Sequence, residues 1–263
     1  MRIAGSTVLL TGVTGGIGRV LARRLAAAGA ELIVTGRRAE VLRPLADELG
    51  ARCVVADLAD PQQVARLAEE CAGTEILVAN AALPASGDLL DYTCAQVDRA
   101  LAVNLHAPVM LARLLAPDMV AAGRGHLAFV GSMSGKAATA ASSLYTATKF
   151  GLRGFALSLR QDLRKAGVGV SVVQPGFVSE AGMFAATGAT PPGGVRTVTP
   201  AQVADSVLRA VVRDECEVNI APMTLRLRCA VASQFPAFAE RARRRADTDD
   251  VTRQIVEAQR ASR

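Results

Sequence analysis

Residues 11–20 read TGVTGGIGRV, and this stretch determines what kind of fold the chain can form. It follows the apolar run STVLL and leads into GRVLARRLAAAG, whose apolar residues recur at helical spacing before a glycine. Missing side chains in a strand-to-helix turn let the backbone approach a pyrophosphate at the helix N-terminus. The stretch therefore predicts a dinucleotide site, and the alternative is a tight turn without a ligand. The candidate cofactor-binding residues in it are Gly12, Thr14, Gly16, Ile17 and Gly18.

Seven short apolar runs alternate with helical periods along the chain. They are STVLL, ELIVTG, ARCVVA, TEILVAN, GHLAFVGS, VGVSVVQP and CEVNIAP. Near-continuous apolar runs are typical of strands buried on both faces, and right-handed crossovers through helices make such strands parallel. The predicted fold class is α/β, a doubly wound parallel sheet of Rossmann type. A chain of 263 residues can form this as one domain over residues 1–263.

Two segments depart from this alternation. Residues 179–200, SEAGMFAATGATPPGGVRTVTP, are rich in Gly, Pro, Ala and Thr, so we expect a mobile flap over the substrate. In the flap, Met183 and Phe184 are candidate contacts for a hydrophobic substrate, and the alternative is that they hold the flap down. A basic extension follows at about 222–263, where six arginines between positions 222 and 245 are set against Glu240 alone.

Composition narrows the class of protein. The net charge of +6 is concentrated in the basic extension, and aromatic residues make up only 3% of the chain. A platform on which bases could stack is therefore missing, which argues against a nucleic-acid partner. The five cysteines are scattered and form no CxxC pair, so they predict neither a disulfide framework nor a metal site. We see neither a secretory leader nor an uninterrupted apolar run of about 18 residues, and we expect a cytoplasmic protein.

The end of the second apolar run bears on which dinucleotide binds. Sites for the 2'-hydroxyl of NAD carry an acid there, whereas this run is followed by Arg37 and Arg38. Two guanidinium groups can clamp a 2'-phosphate, so NADP(H) is the expected cofactor. If the two arginines are only solvent-exposed residues at the start of a helix, NAD(H) is the alternative cofactor. Asp57 and Leu58, after the third run, are candidates for the adenine, and the alternative for Asp57 is a loop cap.

Residues 142–159, SSLYTATKFGLRGFALSL, contain one of the two tyrosines and one of the three lysines in a chain with 30 basic residues. Tyr145 and Lys149 are four residues apart, so on a helix they share one face. An ammonium group there favours the phenolate and is expected to lower the tyrosine pKa from its usual value near 10. Such a tyrosine can exchange a proton with an alcohol oxygen. The alternative is an exposed helical pair.

Six motifs follow one another in a recognisable order: TGVTGGIG at 11–18, ANAA at 79–82, AVNLHA with Asn104, FVGSMSG with Ser132, YTATK at 145–149 and PGFV at 175–178. With this order and spacing the chain resembles the short-chain dehydrogenase/reductase family over at least residues 5–222. The glycine spacing also fits the extended branch of that family, but chain length and the 13-residue interval from Ser132 to Tyr145 favour the compact branch.

The resemblance implies a role for each matching residue. Tyr145 is similar to the family's acid/base, Lys149 to the residue that lowers its pKa and holds the nicotinamide ribose, and Ser132 to the hydroxyl that orients the carbonyl. Asn104 resembles the residue that holds a water in a proton relay to Lys149. The resemblance implies further cofactor contacts at Asn80, Pro175 and Gly176. Where the family often carries a threonine that contacts the carboxamide, this chain has Glu180, so we expect that contact to shift to Val178.

The expected function is an oxidoreductase that interconverts a carbonyl and a secondary alcohol, on a hydrophobic small molecule. A dinucleotide-sensing protein of the same fold without turnover is the alternative. Ser134 is a further candidate substrate contact, or else a hydroxyl that stabilises its loop. The resemblance also implies a homodimer or homotetramer. The basic extension is then either part of a subunit interface or a weak contact with an anionic membrane surface, and Pro236 argues against one long amphipathic helix.

Overall fold

The structure is a computed structural model that describes residues 1–191, 195–245 and 249–260. Within these ranges, seven parallel strands form one sheet in the order β3-β2-β1-β4-β5-β6-β7. The strands are β1 (Thr7–Thr11), β2 (Glu31–Gly36), β3 (Arg52–Val55), β4 (Ile76–Ala79), β5 (Gly125–Val130), β6 (Val168–Pro175) and β7 (Glu217–Ile220). Each apolar run of the sequence forms one strand, so the predicted doubly wound α/β fold is confirmed.

Helices cover both faces of the sheet. In the described ranges they are α1 (Gly16–Ala27), α2 (Ala39–Leu49), α3 (Pro61–Glu70), α4 (Cys94–Leu101), α5 (Ala107–Ala121), α6 (Ser143–Leu163), α7 (Pro200–Arg213), α8 (Met223–Gln234), α9 (Pro236–Arg245) and α10 (Asp249–Arg260). Successive strand residues point to opposite faces, so Leu9 and Phe129 pack in one core and their neighbours Leu10 and Ala128 pack in the other.

The segment that we expect to be a flap is bounded by a short bridge. Val178 pairs with Val198, whose N–H donates to the Phe177 carbonyl at 2.8 Å. The segment expected to be a flap leads directly into α7, because Thr199 caps this helix and Pro200 begins it. Residues 192–194 of the flap lie outside the described ranges, as do residues 246–248 and 261–263 of the basic extension.

The basic extension forms separate helices. Helix α8 ends at Gln234 and α9 begins at Pro236, which agrees with the expectation that this proline prevents one long helix. Among the described residues, one helical run, Cys94–Ala121, has the length and composition that could cross a membrane. Half of that run is buried in the fold, where α5 packs against α3 and β5 as the core helix of a folded domain does.

The sheet order changes direction between β1 and β4, and this switch opens a crevice at the carboxyl ends of the strands. Thr11 joins the two strands at the base of the crevice. Its hydroxyl oxygen accepts hydrogen bonds from the backbone N–H groups of Asn80 and Ala81, both at 3.0 Å. The Asn80 side chain donates in return to the carbonyls of Thr11 at 3.1 Å and Gly12 at 3.2 Å. The ends of β1 and β4 are therefore fixed relative to each other.

Replacement of Thr11 by valine tests this connection. Valine has a similar shape but accepts no hydrogen bond, so two backbone N–H groups lose their partner. The free energy of unfolding, measured by urea denaturation, should fall by about 1–3 kcal/mol. Thr7→Val is the matched control, because the Thr7 hydroxyl makes only an exposed hydrogen bond to Glu31 at 3.3 Å. Equal losses in the two variants would contradict the role of Thr11.

Candidate active site

The loops that follow five of the strands bring the predicted site residues to one edge of the sheet. The carboxyl ends of parallel strands lie at the same edge, and the helices on both sides leave the crevice between them open. The glycine turn follows β1, the two arginines follow β2 and Asn80 follows β4. Ser132 lies just beyond β5, while Gly176 follows β6 directly.

The glycine turn has no room for side chains. Gly12 has a φ of +70°, and a Cβ at this position would lie 2.6 Å from the Cα of Ala81. A Cβ on Gly18 would collide with the carbonyl of Gly12, and one on Gly16 would collide with Ala181 of the flap. The turn thus presents bare backbone at the N-terminus of α1, which fits a pyrophosphate group.

Arg37 and Arg38 are exposed at the entrance to α2. Neither makes an ion pair with another residue in the described part of the chain, so both guanidinium groups are available to an anion. Gly36, which precedes them, lies against Thr14 of the glycine turn, since a Cβ there would be 3.3 Å from the Thr14 methyl group. The two cations therefore lie beside the turn, where the 2'-phosphate of NADP(H) would fit.

Asp57 is already engaged within the protein. One carboxylate oxygen accepts from the Ala59 N–H at 2.9 Å and the other from Arg99 at 3.0 Å. Burial alone would raise the pKa of Asp57, but the hydrogen bonds from Ala59 and Arg99 outweigh it and the pKa is lowered. These contacts favour the loop-cap alternative, and the adenine role stays a prediction. The Leu58 side chain lies in the core, so only its main chain is left for a nucleotide.

Ser132, Tyr145 and Lys149 lie together at the mouth of the crevice. The Ser132 hydroxyl lies close enough to the Tyr145 hydroxyl to lower the tyrosine pKa. The Lys149 ammonium nitrogen donates to the Val130 carbonyl at 3.1 Å and lies 5.6 Å from the centre of the Tyr145 ring. Ser132 also accepts from the Ser134 N–H at 3.1 Å, so the main chain of Ser134 steadies the Ser132 hydroxyl.

The expected effect of Lys149 on the Tyr145 pKa is wrong for the protein on its own. Burial raises the pKa of Tyr145 to about 12, and the hydrogen bond from Ser132 offsets this only in part. Burial also lowers the pKa of Lys149 to about 8. Both shifts have the same cause, because a low-dielectric site disfavours the phenolate and the ammonium alike. At neutral pH the Tyr145 hydroxyl is therefore protonated.

Asn104 lies in a π-helical turn, Ala102–His106, between α4 and α5. Its side chain is buried and holds the backbone of Leu83: it accepts from the Leu83 N–H at 2.6 Å and donates to the Leu83 carbonyl at 2.9 Å. One acceptor and one donor of the amide group are thus used, and the group supports the loop after β4. A relay through Asn104 stays a prediction.

The residues after β6 build the wall beside the candidate catalytic residues. Pro175 is paired with Ile220, and the Gly176 N–H donates to the Ile220 carbonyl at 2.9 Å. The Val178 side chain is buried against Val198 and Ile17. Val178 therefore has only its main chain left for a cofactor, whereas the Ile17 side chain is half-buried.

The flap residues Met183 and Phe184 are half-buried. The Phe184 ring lies 4.7 Å from the ring of Phe177 between their centres, at an angle of 55°. Ala181 contacts the glycine turn at Gly16. For Phe184 this packing favours the alternative that the residue holds the flap down, and its contact with substrate stays a prediction.

The sequence reasoning missed the position of helix α10. This helix packs against the turn Ala185–Thr187 of the flap. Gln259 accepts from the Ser86 N–H at 3.3 Å, and Arg260 contacts Asp91 at 3.1 Å. The end of the described chain thus returns to the loop after β4. No motif predicted this, because the partners are separated by 173 and 169 residues.

Comparisons with known proteins agree with this geometry. The family model for short chain dehydrogenase matches residues 6–191. Ketoacyl reductase HetN of Nostoc sp. is 32% identical over 253 residues, which cover 91% of this chain and 88% of the relative. A metagenomic short-chain oxidoreductase solved in complex with NADP is 32% identical, with a TM-score of 0.72 over 85% of this chain and 99% of the other. A short-chain dehydrogenase from Sphingobium yanoikuyae in complex with NADPH is 29% identical, with a TM-score of 0.74 over 91% and 93%.

Proposed function

The chain belongs to the short-chain dehydrogenase/reductase family, and on that premise we propose that it reduces a carbonyl compound, or oxidises the matching secondary alcohol, with NADP(H). One observation carries this proposal. The neighbouring hydroxyl groups of Ser132 and Tyr145 lie at the mouth of the crevice, with the buried Lys149 ammonium nitrogen behind them.

The proposed cofactor site uses residues from neighbouring strand ends. The glycine turn would hold the pyrophosphate, and Arg37 with Arg38 would hold the 2'-phosphate. Lys149 would donate to the nicotinamide ribose. When bound, the nicotinamide supplies or accepts the hydride. The NADP and NADPH bound to two structural neighbours support this choice over NAD(H).

In the proposed reaction, Ser132 and Tyr145 both hydrogen-bond the carbonyl oxygen. Tyr145 donates its proton as the oxygen becomes an alcohol. Its raised pKa keeps the hydroxyl protonated at neutral pH, which is the state that carbonyl reduction requires. The Lys149 ammonium stabilises the negative charge left on the tyrosine oxygen, and its pKa of about 8 leaves it charged at neutral pH.

We propose a hydrophobic substrate. Phe177, Met183 and Phe184 give the flap an apolar side, and half-buried aromatic rings offer surface to an apolar ligand. The name of the Nostoc relative, a ketoacyl reductase, supports a substrate with a carbonyl on an acyl chain. The alternative function, dinucleotide sensing without turnover, needs no hydroxyl pair at the crevice.

Tyr145→Phe separates the two functions. The variant loses only the proton-donating hydroxyl, so NADPH oxidation with a panel of acyl ketones should fall by about 100-fold or more, while NADPH binding, followed by its fluorescence, is retained. Tyr92→Phe is the control, because the Tyr92 hydroxyl bonds the Ser86 carbonyl at 3.0 Å and is not assigned to the reaction. Turnover by Tyr145→Phe at the rate of Tyr92→Phe would overturn the assignment of Tyr145.

Removal of both arginines tests the cofactor. In Arg37→Ala/Arg38→Ala, NADPH loses its charge-assisted hydrogen bonds, so we expect its dissociation constant to rise by about 10- to 100-fold more than that of NADH. Arg43→Ala, an exposed arginine on the same helix, is the matched control. If the double variant weakens NADH as much as NADPH, or if the wild type prefers NADH, the proposal of NADP(H) fails.

We also propose a homodimer or homotetramer, since Leu114, Val120 and Phe150 leave apolar surface on α5 and α6.

A separate apolar surface lies on α8 and α9, where four side chains are 64–69% exposed: Met223, Leu227, Phe235 and Phe238. Arg226, Arg228 and Arg241 are exposed around it, and the side chains of Arg243, Arg244 and Arg245 lie outside the described part of the structure. By contrast, Leu225 and Val231 on α8 are half-buried and offer less apolar surface.

For this second surface we propose weak contact of a cytoplasmic enzyme with an anionic membrane. Pairing of two copies through it would bring the arginines of both copies together, whereas anionic lipid attracts each of them by about 1 kcal/mol. We expect sedimentation with phosphatidylserine vesicles at low salt and none with phosphatidylcholine vesicles. Leu227→Ser/Phe238→Ser should abolish it, and Leu90→Ser, an exposed leucine elsewhere, should not. A lack of sedimentation at low salt would leave the interface alternative.

A further inference from the structure

A group of charged and amide side chains lies behind the candidate active site, centred on Glu217 of β7. The Glu217 carboxylate accepts from Arg153 Nε at 2.6 Å and from Lys136 Nζ at 2.9 Å. The Gln174 side-chain amide donates to the same carboxylate. Burial alone would raise the pKa of Glu217, but the hydrogen bonds from Arg153 and Lys136 outweigh it, so the pKa is lowered and the group is ionised.

The three partners of Glu217 belong to the three segments that carry the proposed catalytic and nicotinamide-side residues. Lys136 is in the loop that begins with Ser132, four residues away. Arg153 is on α6 at the next i+4 position after Lys149, on the face that also carries Tyr145. The third partner, Gln174, directly precedes the proline that ends β6. Glu217 is therefore a common anchor for these segments.

The packing leaves little freedom between the segments. A Cβ on Gly135 would lie 2.7 Å from the Lys149 carbonyl oxygen and 2.9 Å from the Gln174 side-chain oxygen. The loop after β5 thus lies directly on α6 and β6. Lys136 is the next residue of this loop. A movement of Lys136 would therefore also move Ser132 relative to α6.

We propose that Glu217 is a positioning residue that keeps the Ser132 hydroxyl within hydrogen-bonding reach of Tyr145. Without its negative charge, Lys136 and Arg153 face each other as two uncompensated, partly buried cations. The loop would lose its tie to α6 through Lys136, and the repulsion would add to this loss, so that the Ser132 hydroxyl moves away from the Tyr145 hydroxyl. Glu217 thus takes part in the proposed reaction from the far side of the site. The effect of Glu217 on turnover rests on the proposed function.

The hydrogen bond can be measured without any substrate. The chain has only two tyrosines, so protein labelled with carbon-13 at tyrosine Cζ gives two resonances. Ser132→Ala provides the position of the Tyr145 resonance when the bond is absent. We expect Glu217→Gln to move the Tyr145 resonance toward that position and to leave the Tyr92 resonance in place. Glu215→Gln, which removes only a surface ion pair with Arg209, should move neither.

Turnover gives the second readout. In Glu217→Gln we expect kcat for reduction to fall by about 10- to 100-fold, since a small misplacement of a catalytic group is costly, while NADPH binding is unchanged. The pH profile for alcohol oxidation should shift to higher pH, because a tyrosine without its serine partner loses its proton less readily. Glu217→Asp keeps the charge and should restore part of kcat, and Glu215→Gln should match the wild type.

The outcomes separate the two proposals. If the Tyr145 resonance and kcat of Glu217→Gln both equal those of the wild type, the positioning role is overturned. If the wild type turns over no carbonyl, the proposed function fails, and the resonance still decides the role of Glu217. Should Glu217→Gln not fold, Lys136→Met removes the cation on the loop, and the inference requires the same movement of the Tyr145 resonance.

Discussion

The burial of Lys149, with Tyr145 half-buried beside it at the carboxyl ends of β5 and β6, is the constraint on which the site depends. A lysine ammonium in such a place loses the stabilisation that water provides, and its one hydrogen bond to the protein in the described structure goes to the Val130 carbonyl. Its pKa therefore falls to about 8, while the pKa of the tyrosine rises to about 12. The site holds both groups close to the protonation states needed to pass a proton to a carbonyl oxygen.

The sheet makes this burial possible. Helix α6 lies along β6, and the face at the spacing 145, 149 and 153 is directed toward the end of the sheet. The switch in strand order between β1 and β4 then places the glycine turn beside these residues rather than across the molecule. Thr11 and Asn80 fix the switch, while Glu217 fixes the segments on the other side. Distant parts of the chain thus hold a few polar atoms in one arrangement.

Much of the fold could be predicted from the sequence, because strand runs, helix spacing and glycine turns are local patterns. The seven strands and the positions of Tyr145 and Lys149 on one helix follow from such patterns. What could not be predicted depends on burial and on distant partners. The pKa of Tyr145 is raised because the surrounding fold excludes water, and spacing along a helix carries no information on that. The Asn104 amide bonds Leu83, a partner 21 residues away that no local pattern indicates.

The most direct test of this account is the pH dependence of carbonyl reduction, measured as kcat/KM from about pH 6 to about pH 10 in the wild type and in Lys149→Met. We predict that kcat/KM of the wild type is highest below pH 8. It should fall as the pH rises through the Lys149 pKa of about 8, because the ammonium group loses its proton. Lys149→Met should be slow throughout and lack this fall. A wild-type value that rises through this range, or a Lys149→Met profile that matches the wild type, would contradict the account.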